Sequence, residues 1–352
     1  MLVRELKLRP AKRLESTLNE WLWILTGIYN FGIRKIELNA KDKLYFSSFD
    51  FCNLCSNHSD KLEIPSHTLQ ATLMGAYNSW KRCFKKLARK PKLKGIRNKL
   101  RSIQFPDIIP VSRFKNGKIN LPGLGRIRYF KQDLPKGKIK RGRIVKKASG
   151  WYLQLILDAN HTFKVYETTK KVGIDTGFKH LAVLSDGTKY ENQRNFIKGQ
   201  KKLAQAQRGN RKKLAARLHE KIANRRKDYN HKISKDLVQN YAELYITNDN
   251  LKGQARRFGK SIGDAGISQL RNFVFYKSDN HGRKCVLVDS RNTTMTCSNC
   301  GSRSGPTGLS ELAVRQWRCV DCGSTHDRDV NAARNTLLAG LGTSHERSRD
   351  VA

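Results

Sequence analysis

Apolar and polar residues change period several times along this chain, and each change marks an element. Residues 1–10 (MLVRELKLRP) alternate apolar and basic, the period of a strand. Leu14, Leu18, Leu22, Leu25 and Tyr29 then recur at helical spacing. Leu69, Leu73, Tyr77, Trp80, Phe84 and Leu87 form a second such stripe. A single stripe on each helix predicts that the two pack on one another, so the aromatics are core rather than platforms for stacked bases. From about 88 to 147 Lys and Arg are dense, with short β-like runs between Gly and Pro turns (KINLPGLGRIRYF, then KGKIKRGRIVKKASGWYLQLILDA). These predict a small basic barrel or sheet over 96–167 that resumes the fold begun by residues 1–10. The helices of 11–95 are then an insertion into it.

The pattern shifts near 168. KVGIDTGFKHLAVLSDGTKY reads as strand, turn, strand, turn, and 199–240 as a long basic helical stretch. ELYITNDN is a strand, KSIGDAGISQLRNFVFYK a helix, KCVLVDS a strand and DVNAARNTLLAG a helix. Strands alternating with helices in this order predict an RNase H-like α/β domain over 168–294 and 323–345. The residues between, 295–322, carry paired cysteines, and 346–352 read as a tail.

Charge narrows the partner. The 352 residues hold 70 Lys and Arg against 29 Asp and Glu, a formal net charge of +41. Such an excess favours a polyanion, and the phosphate backbone of nucleic acid is the economical choice. No run of 18 apolar residues offers a membrane span. Met1-Leu2-Val3-Arg4 leads straight into charged sequence, unlike a secretory signal. Eight cysteines without such a signal fit a reducing, cytoplasmic setting and metal binding rather than disulfides.

Two groups of residues carry chemistry. Cys297, Cys300, Cys319 and Cys322 form two CxxC pairs separated by 18 residues, the spacing of a structural Cys₄ zinc ribbon. Cys52 and Cys55, with His58 nearby, lack a second pair, and the two cysteines read as ordinary thiols. The second group is acidic. Asp175 ends an apolar strand in VGIDTG, while Asp327 and Asp329 open the last helix. Two-metal phosphodiester hydrolysis needs carboxylates from separate elements, and Mg²⁺ prefers a few of them plus water. Taken singly, Asp175 is also a good turn residue and Asp327 or Asp329 a good N-cap. Glu220 and Asp228 lie on the basic helix and pair with its cations. Asp264 and Asp289 read as structural.

The run CSNCG…CVDCGSTHDRDVNAARN, the GIDTG strand and the KSIGDAG helix resemble the TnpB family, transposon-encoded proteins ancestral to the type V CRISPR effectors. LNEWLWILTGIYNFGIRK, IPSHTLQATLMGAYNSWKRCFKK and KINLPGLGRIRY resemble that family's recognition helices and wedge barrel. The resemblance runs from about residue 2 to 340. It implies an RNA-guided DNA endonuclease of nucleoid-associated, prokaryotic type. A guide RNA from the transposon end would pair with double-stranded target DNA, beside a short target-adjacent motif. A RuvC-like site using Mg²⁺ would cut it. Asp175 is implied as the first carboxylate of that site and Asp329 as the last, with Asp327 only beside them.

The chain departs from the family at the middle carboxylate. Where the family places a glutamate at a strand end, this sequence reads Tyr245-Ile246-Thr247-Asn248-Asp249-Asn250. Glu191, in GTKYENQRNF, resembles the relocated glutamate of one branch. If 171–176, 181–185 and 188–191 form a meander, Asp175 and Glu191 end at one edge, two strand spacings or roughly 9.6 Å apart. Asp249 is the alternative third carboxylate. A site without one would make the protein an RNA-guided DNA binder that does not cut. A transposase acting directly on transposon ends is a further rival, and would need no RNA.

Overall fold

The computed structural model describes residues 2–130, 132–133, 137–158, 166–308, 311 and 313–342. The tail expected at 346–352 lies outside the described residues. The chain is mixed α/β and divides into two units, Met1–His161 and Thr162–Ala352.

In the first unit, β1 (Leu2–Arg9) leads into α1 (Lys12–Lys41), α2 (Ser48–Asn53), α3 (Ser59–Leu62) and α4 (Ser66–Phe84). Six strands follow: β2 (Ser102–Phe105), β3 (Phe114–Lys115), β4 (Lys118–Leu121), β5 (Gly125–Tyr129), β6 (Lys138–Lys147) and β7 (Gly150–Asp158). They assemble in the order β2-β6-β7-β1-β5-β4-β3. Thus β1 returns to pair with β5 and β7, across the intervening helices. β7 shows how the sheet finds its face: Trp151, Leu153, Leu155 and Leu157 point into the core and alternate with half-buried Tyr152, Gln154 and Ile156. The helices share that core, since Leu18, Leu22, Leu69 and Leu73 lie in one cluster with Leu6 and Leu153. Both helical stripes are therefore core, except at one end. Helix α4 stops at Phe84, Lys86 adopts a left-handed backbone, and Phe84 and Leu87 are exposed. Cys55 is buried here, which pushes its thiol up from the ordinary value.

The second unit opens with the expected meander, β8 (Lys171–Thr176), β9 (His180–Leu184) and β10 (Lys189–Glu191). The basic stretch that follows is two helices, α5 (Asn195–Arg208) and α6 (Lys212–Asn240). It breaks at Gly209-Asn210, where Asn210 has positive φ. Next come β11 (Glu243–Thr247), α7 (Leu251–Ala265), α8 (Ile267–Asn280) and β12 (Lys284–Val288). The single helix expected from KSIGDAG onward is divided at Gly266, whose left-handed backbone caps α7. Last are the short hairpin β13 (Gln316–Arg318) and β14 (Thr325–Asp327), and α9 (Arg328–Leu341).

The sheet order is β10-β9-β8-β11-β12. β8, β11 and β12 run parallel, while β9 is antiparallel to both its neighbours. β8 sits in the middle and is covered on both faces, with Val172 and Ile174 fully buried, as its unbroken apolar run requires. No helix is long and apolar enough to cross a membrane among the described residues.

Candidate nuclease and metal sites

Sheet polarity gathers the acidic residues. β8 and β11 are parallel with Ile174 level with Ile246, so Asp175 and the residues just past Thr247 emerge at the same edge. Open α/β sheets put ligand sites beyond the carboxyl ends of parallel strands. In the NDN run after β11, Asn250 takes the capping role, accepting from Gly253 N at 3.0 Å. Asp249 is thereby free to face β8. Its Oδ2 accepts from Thr176 Oγ1 at 3.2 Å and from Arg271 Nη2 at 2.8 Å. Arg271, buried on α8, also donates to Thr176 Oγ1.

Asp329 reaches the same place from α9. That helix lies so close on β8 that a Cβ on Gly173 would stand 2.0 Å from the Ala333 carbonyl oxygen and 2.6 Å from Leu337 N. Only glycine admits this approach, and it sits two residues before Asp175. The start of α9 is fixed by Asp327, whose Oδ1 accepts from Asp329 N at 3.0 Å and Val330 N at 3.1 Å. Its other oxygen accepts from Lys189 Nζ on β10 at 2.6 Å. Arg315 Nη1 stands 3.3 Å from Asp329 Oδ1.

The electrostatics tie these three together. Burial, then the negative fields of Asp249 and Asp329, push the Asp175 carboxyl well above its ordinary value, while Arg328 and Arg271 pull it down. Asp175 thus carries the negative fields of a β11-end and an α9 carboxylate, which a bound cation would relieve. Glu191 is placed differently. It also ends its strand at that edge, but pairs in register with His180, whereas Asp175 is level with Val183. Its carboxylate lies 2.8 Å from His180 Nδ1 and is 71% exposed.

The four cysteines close as their spacing predicts. Their sulfurs all lie within 4.8 Å of one another, the one such set of three or more metal-binding side chains among the described residues. Cys297 and Cys319 are buried, Cys300 and Cys322 exposed. Ser304 Oγ donates to Cys319 Sγ at 3.2 Å, and Ser324 Oγ lies 3.3 Å from Cys322 Sγ. Hydrogen bonds with Ser304 and Ser324 hold the Cys319 and Cys322 thiols below the ordinary value, while Cys297, by burial, and Cys300 are pushed above it. Cys52, Cys55 and His58 do not form such a set.

Sequence reasoning passed over the residues that hold the acidic cluster in place. Arg271 is visible as a cation inside an apolar helical stretch. Gly173 is visible as a glycine within a strand, often a mark of close backbone approach. Lys189 and Arg315 gave no signal among so many cations. Asp264, read as structural, is buried and accepts from Phe196 N at 2.7 Å at the start of α5. Asp289 pairs with Arg291 two residues on, at 2.7 Å.

The family described as "Cas12f1-like, TNB domain" matches residues 268–336, and that described as "Probable transposase" (OrfB of IS605) matches 154–257. A Streptomyces pristinaespiralis protein named as a candidate RNA-guided DNA endonuclease is 32% identical over 302 residues, covering 80% of this chain and 73% of its own length. The chain belongs to the TnpB family. Escherichia coli (strain K12) InsQ, named in the same way, is 30% identical over 305 residues, covering 78% of this chain and 75% of InsQ. The CRISPR-associated endodeoxyribonuclease Cas12f1 of Sulfoacidibacillus thermotolerans is 25% identical over 221 residues, covering 54% of this chain and 50% of Cas12f1.

Proposed function

We propose that this TnpB-family chain is an RNA-guided DNA endonuclease that hydrolyses phosphodiesters at Asp175, Asp249 and Asp329. The observation that carries the reading is that parallel β8 and β11 bring Asp175 and Asp249 to one edge of the sheet, where α9, packed on Gly173, presents Asp329. Asp175, Asp249 and Asp329 would hold Mg²⁺. Bound there, the metal would supply Lewis acidity and a water acidified for attack on phosphorus. Arg271 and Thr176 fix the Asp249 carboxylate, and the Asp327 cap fixes the turn that presents Asp329. On this reading the five-stranded sheet with α9 is a RuvC-like nuclease domain, and the seven-stranded sheet is a wedge-like barrel carrying recognition helices. The four cysteines would bind one structural Zn²⁺ within the ribbon. The net charge of +41 supports two polyanionic partners, a guide RNA from the transposon end and target duplex DNA with an adjacent motif. The protein would act as a monomer in the cytoplasm of a prokaryotic cell.

The test is direct. The protein is purified with its native flanking DNA present, the co-purified RNA is sequenced, and matching duplex DNA is offered with Mg²⁺ or with EDTA. Guide-dependent cutting in Mg²⁺ alone is expected. RNA-guided binding without any cutting would instead identify a nuclease-dead regulator.

Geometry favours Asp249 over Glu191 as the third carboxylate. Asp249→Asn is expected to lower the cleavage rate at least about 100-fold, the scale of losing one charge-stabilising group. Glu191→Gln should stay within about threefold, since its carboxylate is engaged with His180 and largely solvated. Single-turnover rates at saturating Mg²⁺ measure both, and the opposite ranking would make Glu191 the metal ligand.

A further inference from the structure

One of the buried residues that join the four-cysteine site to the acidic cluster is required by neither chemistry. His326 lies on β14, three residues before Asp329, and is 5% exposed. Its Nε2 stands 3.0 Å from Cys297 Sγ. Across the hairpin it is paired in register with Trp317, and the two rings sit 4.7 Å apart at 35°. That contact fixes the imidazole plane. Cys297 is one of the two buried cysteines of the four, and His326 adds a side-chain donor to the backbone N–H groups of Asn299 and Cys300 that already reach it.

A second set of bonds joins the same two places. The Cys297 knuckle rests on α9 through two buried asparagines. Asn331 Oδ1 accepts from Ser298 N at 2.9 Å. Asn331 Nδ2 donates to the Thr296 carbonyl at 2.8 Å, and Asn335 Nδ2 donates to those of Thr293 and Thr296 at 2.8 and 2.6 Å. Asp329 therefore stands between two tethers to the knuckle, His326 on one side and Asn331 with Asn335 on the other.

We propose that His326 is a positioning residue that donates its Nε2–H to the Cys297 thiolate and so makes metal occupancy of the ribbon set the position of Asp329. The inference rests on the nuclease reading for its second half only. Outer partners of metal ligands change metal affinity by about 10- to 100-fold when removed. A thiolate with a buried donor bears less free charge, and the ring that supplies the donor continues directly into the Asp327 cap.

The experiment uses the full chain with its RNA. His326→Phe keeps the ring and its contact with Trp317 but removes both nitrogens, and His326→Gln restores an N–H. Zinc is withdrawn with a competing chelator, cobalt-substituted protein is read by its thiolate charge-transfer bands, and cleavage is resolved into kcat and KM. His326→Phe is expected to release zinc about 10- to 100-fold more readily, to shift the cobalt bands, and to lower kcat with KM for target DNA unchanged. His326→Gln is expected to recover much of all three. Unaltered zinc affinity and unaltered bands in His326→Phe would overturn the proposal, as would a fall in KM-dependent binding alone. Should that variant not fold, the parent loaded with cadmium-113 decides. A scalar coupling between the metal and the His326 Nε2 proton supports the bond, and its absence refutes it. Metal affinity and spectra need no DNA. A parent chain that binds its target and never cuts would remove the nuclease reading, and with it the link to Asp329, while the bond to the thiolate stands or falls on its own readouts.

Discussion

Replacing Asp175 with asparagine is expected to reduce cleavage at least about 1,000-fold, or about 4 kcal/mol of transition-state stabilisation, and to leave RNA binding intact. The same change should make the metal-free protein more stable. Burial and the fields of Asp249 and Asp329 hold the Asp175 carboxyl well above its ordinary value. A carboxyl raised in the folded state stabilises the fold below the ordinary carboxyl range, and that contribution is lost as pH climbs through the raised value. Near neutral pH the charged form is the one the fold disfavours, and asparagine removes it. A gain on the order of 1 kcal/mol would raise the melting temperature by about 2–4 °C in a unit of this size. Magnesium should reverse the ranking, because a cation that binds the folded parent and not the variant stabilises only the parent. Calorimetry of both proteins in EDTA and in Mg²⁺, at a pH on each side of neutrality, reads all of this. A variant that cuts at the parent's rate would remove Asp175 from the site. One that melts lower than the parent in EDTA would remove the repulsion from the argument.

How much of this was legible in the sequence depends on whether a contact is local. The cysteine pairs declare their site by spacing alone, because a ligand set on two tight turns is nearly determined by the turns. The meander of β8, β9 and β10 was readable from alternating and continuous apolar runs. Breaks inside helical stretches were less so. The pattern of 199–240 stays helical and basic across Asn210, and only the backbone shows that the chain turns there. The third carboxylate that we propose was hardest to read. Asp249 sits in a run, NDN, where each residue is a credible cap, and only the structure assigns the cap to Asn250 and leaves Asp249 facing Arg271 and Thr176. Glu191 ends its strand at the same edge as Asp175. Its register with His180 carries it past the level of Asp175, and a register is a long-range pairing that no local pattern displays.

Gly173 is where a single methyl group should have the second large effect. In Gly173→Ala the new Cβ would stand 2.0 Å from the backbone oxygen of Ala333 and 2.9 Å from the Leu337 Cβ. Backbone cannot yield as a side-chain tip can, so α9 must lift from β8. Overpacking of this kind costs about 1–3 kcal/mol of stability. The loss of function should be larger than that cost suggests, because the same helix carries Asp329 and the same strand carries Asp175. A displacement of about 1 Å between groups that must share a metal pair is enough for a loss on the order of 100-fold. Gly259→Ala on α7, where a Cβ meets nothing within 4 Å, is the matched control and should leave both stability and cutting unchanged or slightly raise the former. Zinc content should remain at the parent's level in Gly173→Ala, since Asn331 and Asn335 hold the Cys297 knuckle to α9 and carry it with the helix. Loss of cutting with zinc retained and melting only slightly lowered would separate the geometry of the carboxylates from the integrity of the fold. Full activity in Gly173→Ala would show that α9 need not approach β8 for Asp175 and Asp329 to act together, and the carboxylate cluster would then have to be reassembled from other residues.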